Sequence, residues 1–485
     1  MILSDRIISV IIPYMALRSL CIHGHFYQPP REDPFTGAIP KETGASPFDN
    51  WNERIHAECY RPNAELHNFE RISFNIGPTL HEWMLSHDPQ TCASIVAQDQ
   101  ANVRRYGVGN AMAQAYNHTI LPLASRADKV TQVYWGIAEF QHRFGRRPQG
   151  MWLPETAVDL ETLHVLAEMG IEFTILAPWQ VDSDSVDPTE PYHVALPKGR
   201  SITVFIYHQE LSTGISFNPT LTSNADIFVE NEILARFMTD KERIGEPQFL
   251  IIASDGELYG HHQRFRDHFL SHLVNGASSS RGIDLMYPAQ WLQKNPARQT
   301  ICIQENTSWS CHHGVMRWMG QCDCTPGDGR WKVFLRQSLN RLASELDLLY
   351  SDVAWPMGVD PWKLRNRYIN TFFGLTTVEK LVDELAGHAL TTEEVQRLSL
   401  LLRAQYERER MFTSCGWYFE DFSRIEPKNN LAYAAQAVSL AKKATGIDLS
   451  KQTSNDLKNV LSPRSGQRGD TVFLRFLHRA EEKSS

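Results

Sequence analysis

Cysteine is sparse in this 485-residue chain: eight residues, at 21, 59, 92, 302, 311, 322, 324 and 415, too few and too unevenly spaced for a disulfide framework. That excludes a disulfide-stapled scaffold and fits a reducing compartment, with the cytoplasm as the expected location. Positive charge is not in excess either. Forty-eight Lys and Arg against 56 Asp and Glu give a formal charge of -8, and no basic run alternates with aromatics, so a surface that neutralises nucleic-acid phosphates is not expected. Long hydrophobic runs are missing as well. The apolar stretch 7–12 follows Asp5, is not succeeded by a small-residue cleavage site and is far too short to cross a bilayer, so no membrane partner is expected. Residues 1–16 read as an extension outside the fold, with Met15 as an alternative start.

Hydrophobic residues make up 42% and charged residues 21%, the balance of a folded, water-soluble chain, and the length allows two or three domains or one large barrel with an appendage. Over residues 17–325 short apolar runs alternate with helical patterns, which is the signature of βα units around a parallel sheet. Strands are expected at 17–22, 72–76, 151–153, 171–177, 202–207 and 249–253. Between the third and fourth, Leu160, Leu163, Leu166 and Met169 share one helical face, and Gly170 stands where a helix C-cap wants a left-handed residue. Over 326–450 the period becomes helical: Leu335, Leu339, Leu342, Leu346 and Leu349 recur at spacings of three and four, and Thr391 with Glu394 makes a capping box. This half reads as a helical bundle docked on a barrel, and 451–485 as a poorly ordered polar tail.

Side chains just beyond the C-terminal ends of parallel strands converge on one mouth. Two carboxylates stand there: Glu155, after Met151-Trp152-Leu153 and the stiffening Pro154, and Asp255, after Phe249 to Ala253. Breaking a glycosidic bond takes such a pair, one to attack or stabilise the anomeric carbon and one to protonate the leaving oxygen. Each alone reads equally as a helix cap or ion-pair partner; their surroundings favour chemistry. Asp255-Gly256-Glu257-Leu258-Tyr259-Gly260-His261-His262 packs acids, imidazoles and a phenol into one strand-end loop, and the first strand leads into His23-Gly24-His25-Phe26-Tyr27-Gln28-Pro29. Such groups donate to and accept from sugar hydroxyls. His23, His25, Gln28, His118, Glu257, Tyr259 and His261 are expected at one substrate-binding mouth, with Trp152 and Trp309 as stacking faces. Glu82 is a weaker member, equally readable as a helix-surface acid.

These motifs resemble glycoside hydrolase family 57. The matching residues are His23-x-His25-x-x-Gln28-Pro29, Trp152-Leu153-Pro154-Glu155-Thr156-Ala157 and Asp255 to His261, with Glu305-Asn306-Thr307-Ser308-Trp309-Ser310-Cys311 similar to the fifth motif of a poorly characterised branch. The resemblance covers about residues 17–440. It implies an incomplete (β/α)7 barrel followed by a helical bundle region, Glu155 in the nucleophile's place, Asp255 in the acid/base's place, and retaining chemistry on α-linked glucans or maltooligosaccharides without a cofactor. Two departures bear on substrate contacts: Phe26-Tyr27 is inserted before Gln28-Pro29, and the second motif reads Tyr116-Asn117-His118-Thr119-Ile120-Leu121-Pro122. Hydrolysis, 4-α-glucan transfer and branching all remain open.

Two other readings compete. His23, His25, His118, His261 and His262 all lie near strand ends and would suit a metal-dependent deacetylase-like hydrolase, although the early Asp-Asp pair such enzymes carry is missing. A catalytically inactive glycan-binding protein would use the same aromatics, but would not need both carboxylates. Cys311-His312-His313 and Cys322-x-Cys324 bring soft ligands together in 14 residues; the spacing is not that of a common zinc module, and free buried thiols with no metal are the expectation.

Overall fold

The computed structural model describes residues 17–182 and 186–482. Residues 1–16, read above as an extension, lie outside the described residues. The strands are β1 (Arg18–Phe26), β2 (Ser73–Ile76), β3 (Ala113–Gln114), β4 (Met151–Trp152), β5 (Phe173–Leu176), β6 (Tyr192–Leu196), β7 (Arg200–Ile206), β8 (Gln248–Asp255), β9 (Asp284–Leu285) and β10 (Gln299–Thr300). β1 and β8 are buried along nearly their whole length, as parallel strands covered by helices on one side and by packed side chains on the other must be.

The pairings form three sheets rather than the single ladder expected of a barrel. One sets β1 in parallel against β2, β8 and β9; the second runs β10-β6-β7-β5; the third is the pair β3-β4. The physical reason is the brevity of β3 and β4, two residues each, which touch their neighbours through single parallel bridges, Phe74 to Ala111 and Gly150 to Phe173. Between β7 and β8 the link is one bond, from the His208 N–H to the Ile251 carbonyl at 2.8 Å, just past the end of β7. Sequence periodicity missed β6, an antiparallel partner of β7, whose turn puts Lys198 and Gly199 at φ of 60° and 68°, the mirror-image turn that fits twisted hairpins.

The helical half begins at Trp331–Ala354, where Leu335, Leu339, Leu342 and Leu346 are buried, and continues through Pro361–Phe372, Thr392–Arg410 and Ile425–Thr445. Thr391 caps its helix as its sequence implies: its N–H donates to Glu394 at 2.8 Å and its Oγ1 accepts from the Glu394 N–H at 3.3 Å. Residues 451–485, read as a polar tail, include the helix Gly469–Glu482, which buries Val472, Phe473, Phe476, Leu477 and Ala480 against the bundle. Apart from the buried Asp470, its polar residues are exposed or half-buried, so average composition concealed an amphipathic helix.

A buried ion network ties the halves together. Arg365 is fully buried and donates to Asp128 at 2.9 Å on the helix Arg126–Phe144 of the βα half; Glu409 lies 3.1 Å away, and Arg408 reaches the same Asp128 at 2.8 Å. Breaking such a network leaves an uncompensated charge in low dielectric. The helical half is thereby held in register with the strand ends.

Candidate active site

The register of β1 against β8 sets His25 opposite Asp255, and that of β1 against β2 sets His25 opposite Asn75, so these residues share one level at the strand ends. Above them opens a cleft of about 950 Å³. That is at the upper end for ligand clefts, room for several rings rather than one small molecule. Glu155, Asp255, Glu257, His25, Gln28, His261 and Trp309 line it.

Glu155 reaches the cleft because its backbone is left-handed, at φ 57° and ψ 22°, with Thr156 also at positive φ. Positive φ in consecutive non-glycine residues is strain that persists only where the surroundings impose it. Here they do. The Trp309 N–H donates to the Glu155 carbonyl at 3.0 Å, and Val158 and Thr307 bond each other's backbones at 3.0 and 3.3 Å, so the 305–311 segment clamps the turn. On the side chain, Trp309 Nε1 donates to Oε2 at 3.1 Å and Ser310 Oγ to the same oxygen at 2.6 Å. Desolvation pushes the Glu155 carboxyl above the usual range, while Ser310, Trp309 and the positive field of Arg317 pull the other way.

Asp255 has no such donors among the described residues. Its side chain is open to the water of the cleft, yet protein walls surround that water. Desolvation, then the negative charges of Glu257 and Glu155, push its carboxyl up to about 8. Glu257 is buried and pushed up to about 7 by desolvation, although its Oε1 accepts from Tyr60 Oη at 2.7 Å and from the Tyr27 N–H at 3.0 Å. The site therefore sets apart two carboxyls: Glu155, whose Oε2 accepts from Trp309 and Ser310, and Asp255, which burial and its acidic neighbours push up to about 8.

The histidines do not converge on one point. His25 Nε2 lies 3.2 Å from His118 Nε2; its Nδ1 meets Asn75, and His118 Nδ1 meets Ser414 Oγ at 2.6 Å. Burial holds His25 down at about 4 and His118 well below its ordinary value, so both rings are neutral hydrogen-bond relays. His261 pairs with Glu58 at 2.6 Å. Among the described residues these rings form no group of three within metal-ligand reach; the one such group of His, Cys and acidic side chains is Cys311, His313, Cys322 and Cys324.

Several expected members do not reach the mouth. His23 lies one pleat below His25, fully buried, bonded to Ser73 Oγ at 2.9 Å and stacked on Trp152 at 4.6 Å. Trp152 is itself fully buried, a platform behind His25 (5.3 Å) and Trp309 (5.1 Å) rather than a stacking face for a ligand. Tyr259 is buried with its hydroxyl on Ser254 at 3.3 Å, and His118 is covered by the Tyr27 ring at 3.8 Å. Glu82 is exposed on the outer face of the helix Pro78–His87, whose inner face buries Leu80, Trp83 and Met84. The pleat of β1 turns His23 away and helix phase turns Glu82 away, whereas His118, at φ 55°, and Tyr259 are turned inward by loop backbone.

Other lining residues went unassigned. Tyr27 and Ser310 stand inside the quoted motifs, and Trp179 and Tyr207 follow β5 and β7, where the strand-end rule could have found them. Tyr418, Arg424 and Glu426 come from the helical half and carry no local signal of a site.

Comparison with known proteins bears on this geometry. Residues 40–304 match the model of glycosyl hydrolase family 57, and residues 328–484 match a domain of unknown function, DUF3536. An alpha-amylase of Pyrococcus abyssi is 21% identical over 53% of this chain, and a 4-alpha-glucanotransferase of Thermococcus litoralis is 22% identical over 53%. The matched stretch spans 39% of each relative's own length. Among solved structures, an exo-type maltose-forming amylase from Pyrococcus sp. ST04 superposes with a TM-score of 0.74 at 17% identity, covering 90% of this chain and 82% of that one. A branching enzyme from Pyrococcus horikoshii gives 0.61 at 14% identity over 96% and 94% of the two chains. At such identity the likeness speaks to the fold.

Proposed function

The chain belongs to glycosyl hydrolase family 57, and from that premise we propose that it cleaves α-glucosidic linkages of α-glucans or maltooligosaccharides with retention, Glu155 acting as nucleophile and Asp255 as acid/base. The observation that carries this reading is the division of labour between two carboxyls in one cleft: Glu155 is fixed by Trp309 and Ser310, and Asp255 is held protonated near neutral pH. In the first step Glu155 attacks the anomeric carbon as Asp255 gives its proton to the leaving oxygen. In the second, Asp255, now a carboxylate, takes the proton of the incoming hydroxyl. Glu257, His25 and His261 line the cleft as partners for sugar hydroxyls, and Trp309, Trp179 and Tyr207 offer ring faces. The names of the relatives, amylase, glucanotransferase and branching enzyme, support an α-glucan substrate.

We read the seven parallel strands β1, β2, β3, β4, β5, β7 and β8 as an incomplete (β/α)7 barrel within residues 17–325, a reading that the single bridges between neighbouring sheets support. The helical unit then runs from 326 to 482, closing the cleft with Tyr418, Arg424 and Glu426.

The test is chemical rescue. With an α-linked substrate bearing a good leaving group, Asp255→Asn plus azide should release the α-glycosyl azide, because azide displaces Glu155 after two inversions. Glu155→Ala plus azide should release the β-azide, after one. The reverse pairing would exchange the roles, and full activity in either variant would remove that residue from the mechanism. Reducing-end release and iodine staining of amylose would then separate hydrolysis from transfer and branching.

A further inference from the structure

The segment that clamps Glu155 continues into a loop with little regular structure: between β10 and the helix starting at Trp331, the described backbone holds one helix, of four residues, Met316–Met319. Something other than secondary structure must hold it. Inside the loop Cys311 and Cys322 bring their sulfurs to 3.5 Å, and His313 Nδ1 lies 3.3 Å from Cys322 Sγ and 3.5 Å from Cys324 Sγ. All four atoms fall within 4.8 Å of one another. Around a tetrahedral zinc with Zn–S of about 2.3 Å and Zn–N of about 2.0–2.1 Å, ligand sulfurs stand about 3.8 Å apart and sulfur and nitrogen about 3.6 Å. The observed spacings are those of a preformed four-ligand cage, and are too short for an iron–sulfur cluster to fit between them.

Charge points the same way. Lys332 and Arg317 are both buried beside the loop, Arg317 donating to the Cys324 carbonyl at 2.8 Å and Lys332 to the Arg317 carbonyl at 3.2 Å. Neither has a carboxylate within ion-pair distance among the described residues. Buried cations call for compensating negative charge, and three thiolates with one imidazole around a divalent ion carry a net charge of minus one.

We propose that Cys311, His313, Cys322 and Cys324 bind one structural zinc ion, which staples the 311–324 loop and so holds Trp309 and Ser310 against Glu155. The site is closed, with four protein ligands and no position left for substrate, so its part is architectural. Cys311 and Cys322 are buried while His313 is exposed and Cys324 half-buried, which gives the ion a path in from the surface. Nothing in this assignment depends on which sugar the cleft accepts.

The full chain, produced with zinc and passed through metal-free buffer, should contain about one zinc per molecule by elemental mass spectrometry. Its cobalt-substituted form should show thiolate charge-transfer and tetrahedral ligand-field absorption. Cys324→Ser, at the half-buried rim, should lose the ion and unfold at lower temperature; Cys324→His, which restores a fourth ligand, should keep it, as should Cys302→Ser outside the cage. Wild-type protein without zinc, a full equivalent retained by Cys324→Ser, or a Cys311–Cys322 disulfide found by peptide mass spectrometry would each overturn the proposal. Should Cys324→Ser fail to fold, the wild-type metal content and cobalt spectrum still decide.

Discussion

The raised carboxyl of Asp255 can be tested without knowing the substrate, because a proton held by the folded state and released by the unfolded chain makes stability depend on pH. The unfolded carboxyl ionises near about 4, whereas the folded one holds its proton to about 8. Sign follows from that order: below the unfolded value both states are protonated and nothing is lost, and as pH climbs through the window the folded state is increasingly penalised, fully so above about 8. Were the whole rise expressed, about 1.4 kcal/mol per pH unit would make the loss about 5–6 kcal/mol. The side chain faces cleft water, which screens it, and a discounted figure is about 1–2 kcal/mol. Asp255→Asn keeps the shape and removes the ionisation, so the variant should match wild type near about pH 4 and exceed it by that amount near about pH 8. At about 2 cal/mol/K of unfolding entropy per residue, the melting temperatures should diverge by about 1–2 °C. Scanning calorimetry of both proteins across the window reads the difference directly. Parallel curves from acid to alkaline pH would show that the Asp255 carboxyl is not raised, and the acid role assigned to it would lose its basis.

Further outcomes follow from other contacts. Ser310→Ala removes the 2.6 Å donor to Glu155; since that bond lowers the Glu155 pKa, the acidic limb of kcat/KM should move up by about one pH unit, a charge-assisted bond being worth about 1.5–3 kcal/mol, and an unmoved limb would mean that the bond does not act on the nucleophile. Tyr60→Phe takes a donor from Glu257 and should raise its pKa further, seen as a titration midpoint of its carboxyl resonance moved to higher pH in NMR with a ¹³C-labelled chain. Arg365→Met deletes the centre of the buried network with Asp128 and Glu409 and should destabilise the chain by about 3–5 kcal/mol in denaturant titrations; a loss below about 1 kcal/mol would show that the halves are held by apolar packing alone.

How much was legible in the sequence depended on whether the information was local. The run before Asp255 and the one before Glu155 declared strands, and their positions at strand ends suggested a site, because a continuous apolar run and a punctuating proline are properties of adjacent residues. Thr391 and Glu394 declared a helix start for the same reason. Side-chain direction was not local. His23 and His25 look alike in the chain, and only the pairing of β1 with β2 and β8 put one at the mouth and the other a pleat below it. Tyr418 and Arg424, more than 150 residues beyond Asp255, join the cleft because the helical half folds back across it. Cys311, His313, Cys322 and Cys324 follow no familiar spacing, and the loop's path alone made them neighbours. Residue types and their near neighbours settled which chemistry was on offer; which groups meet, and how far each carboxyl is stripped of water, were decided by contacts between segments that only the folded chain brings together.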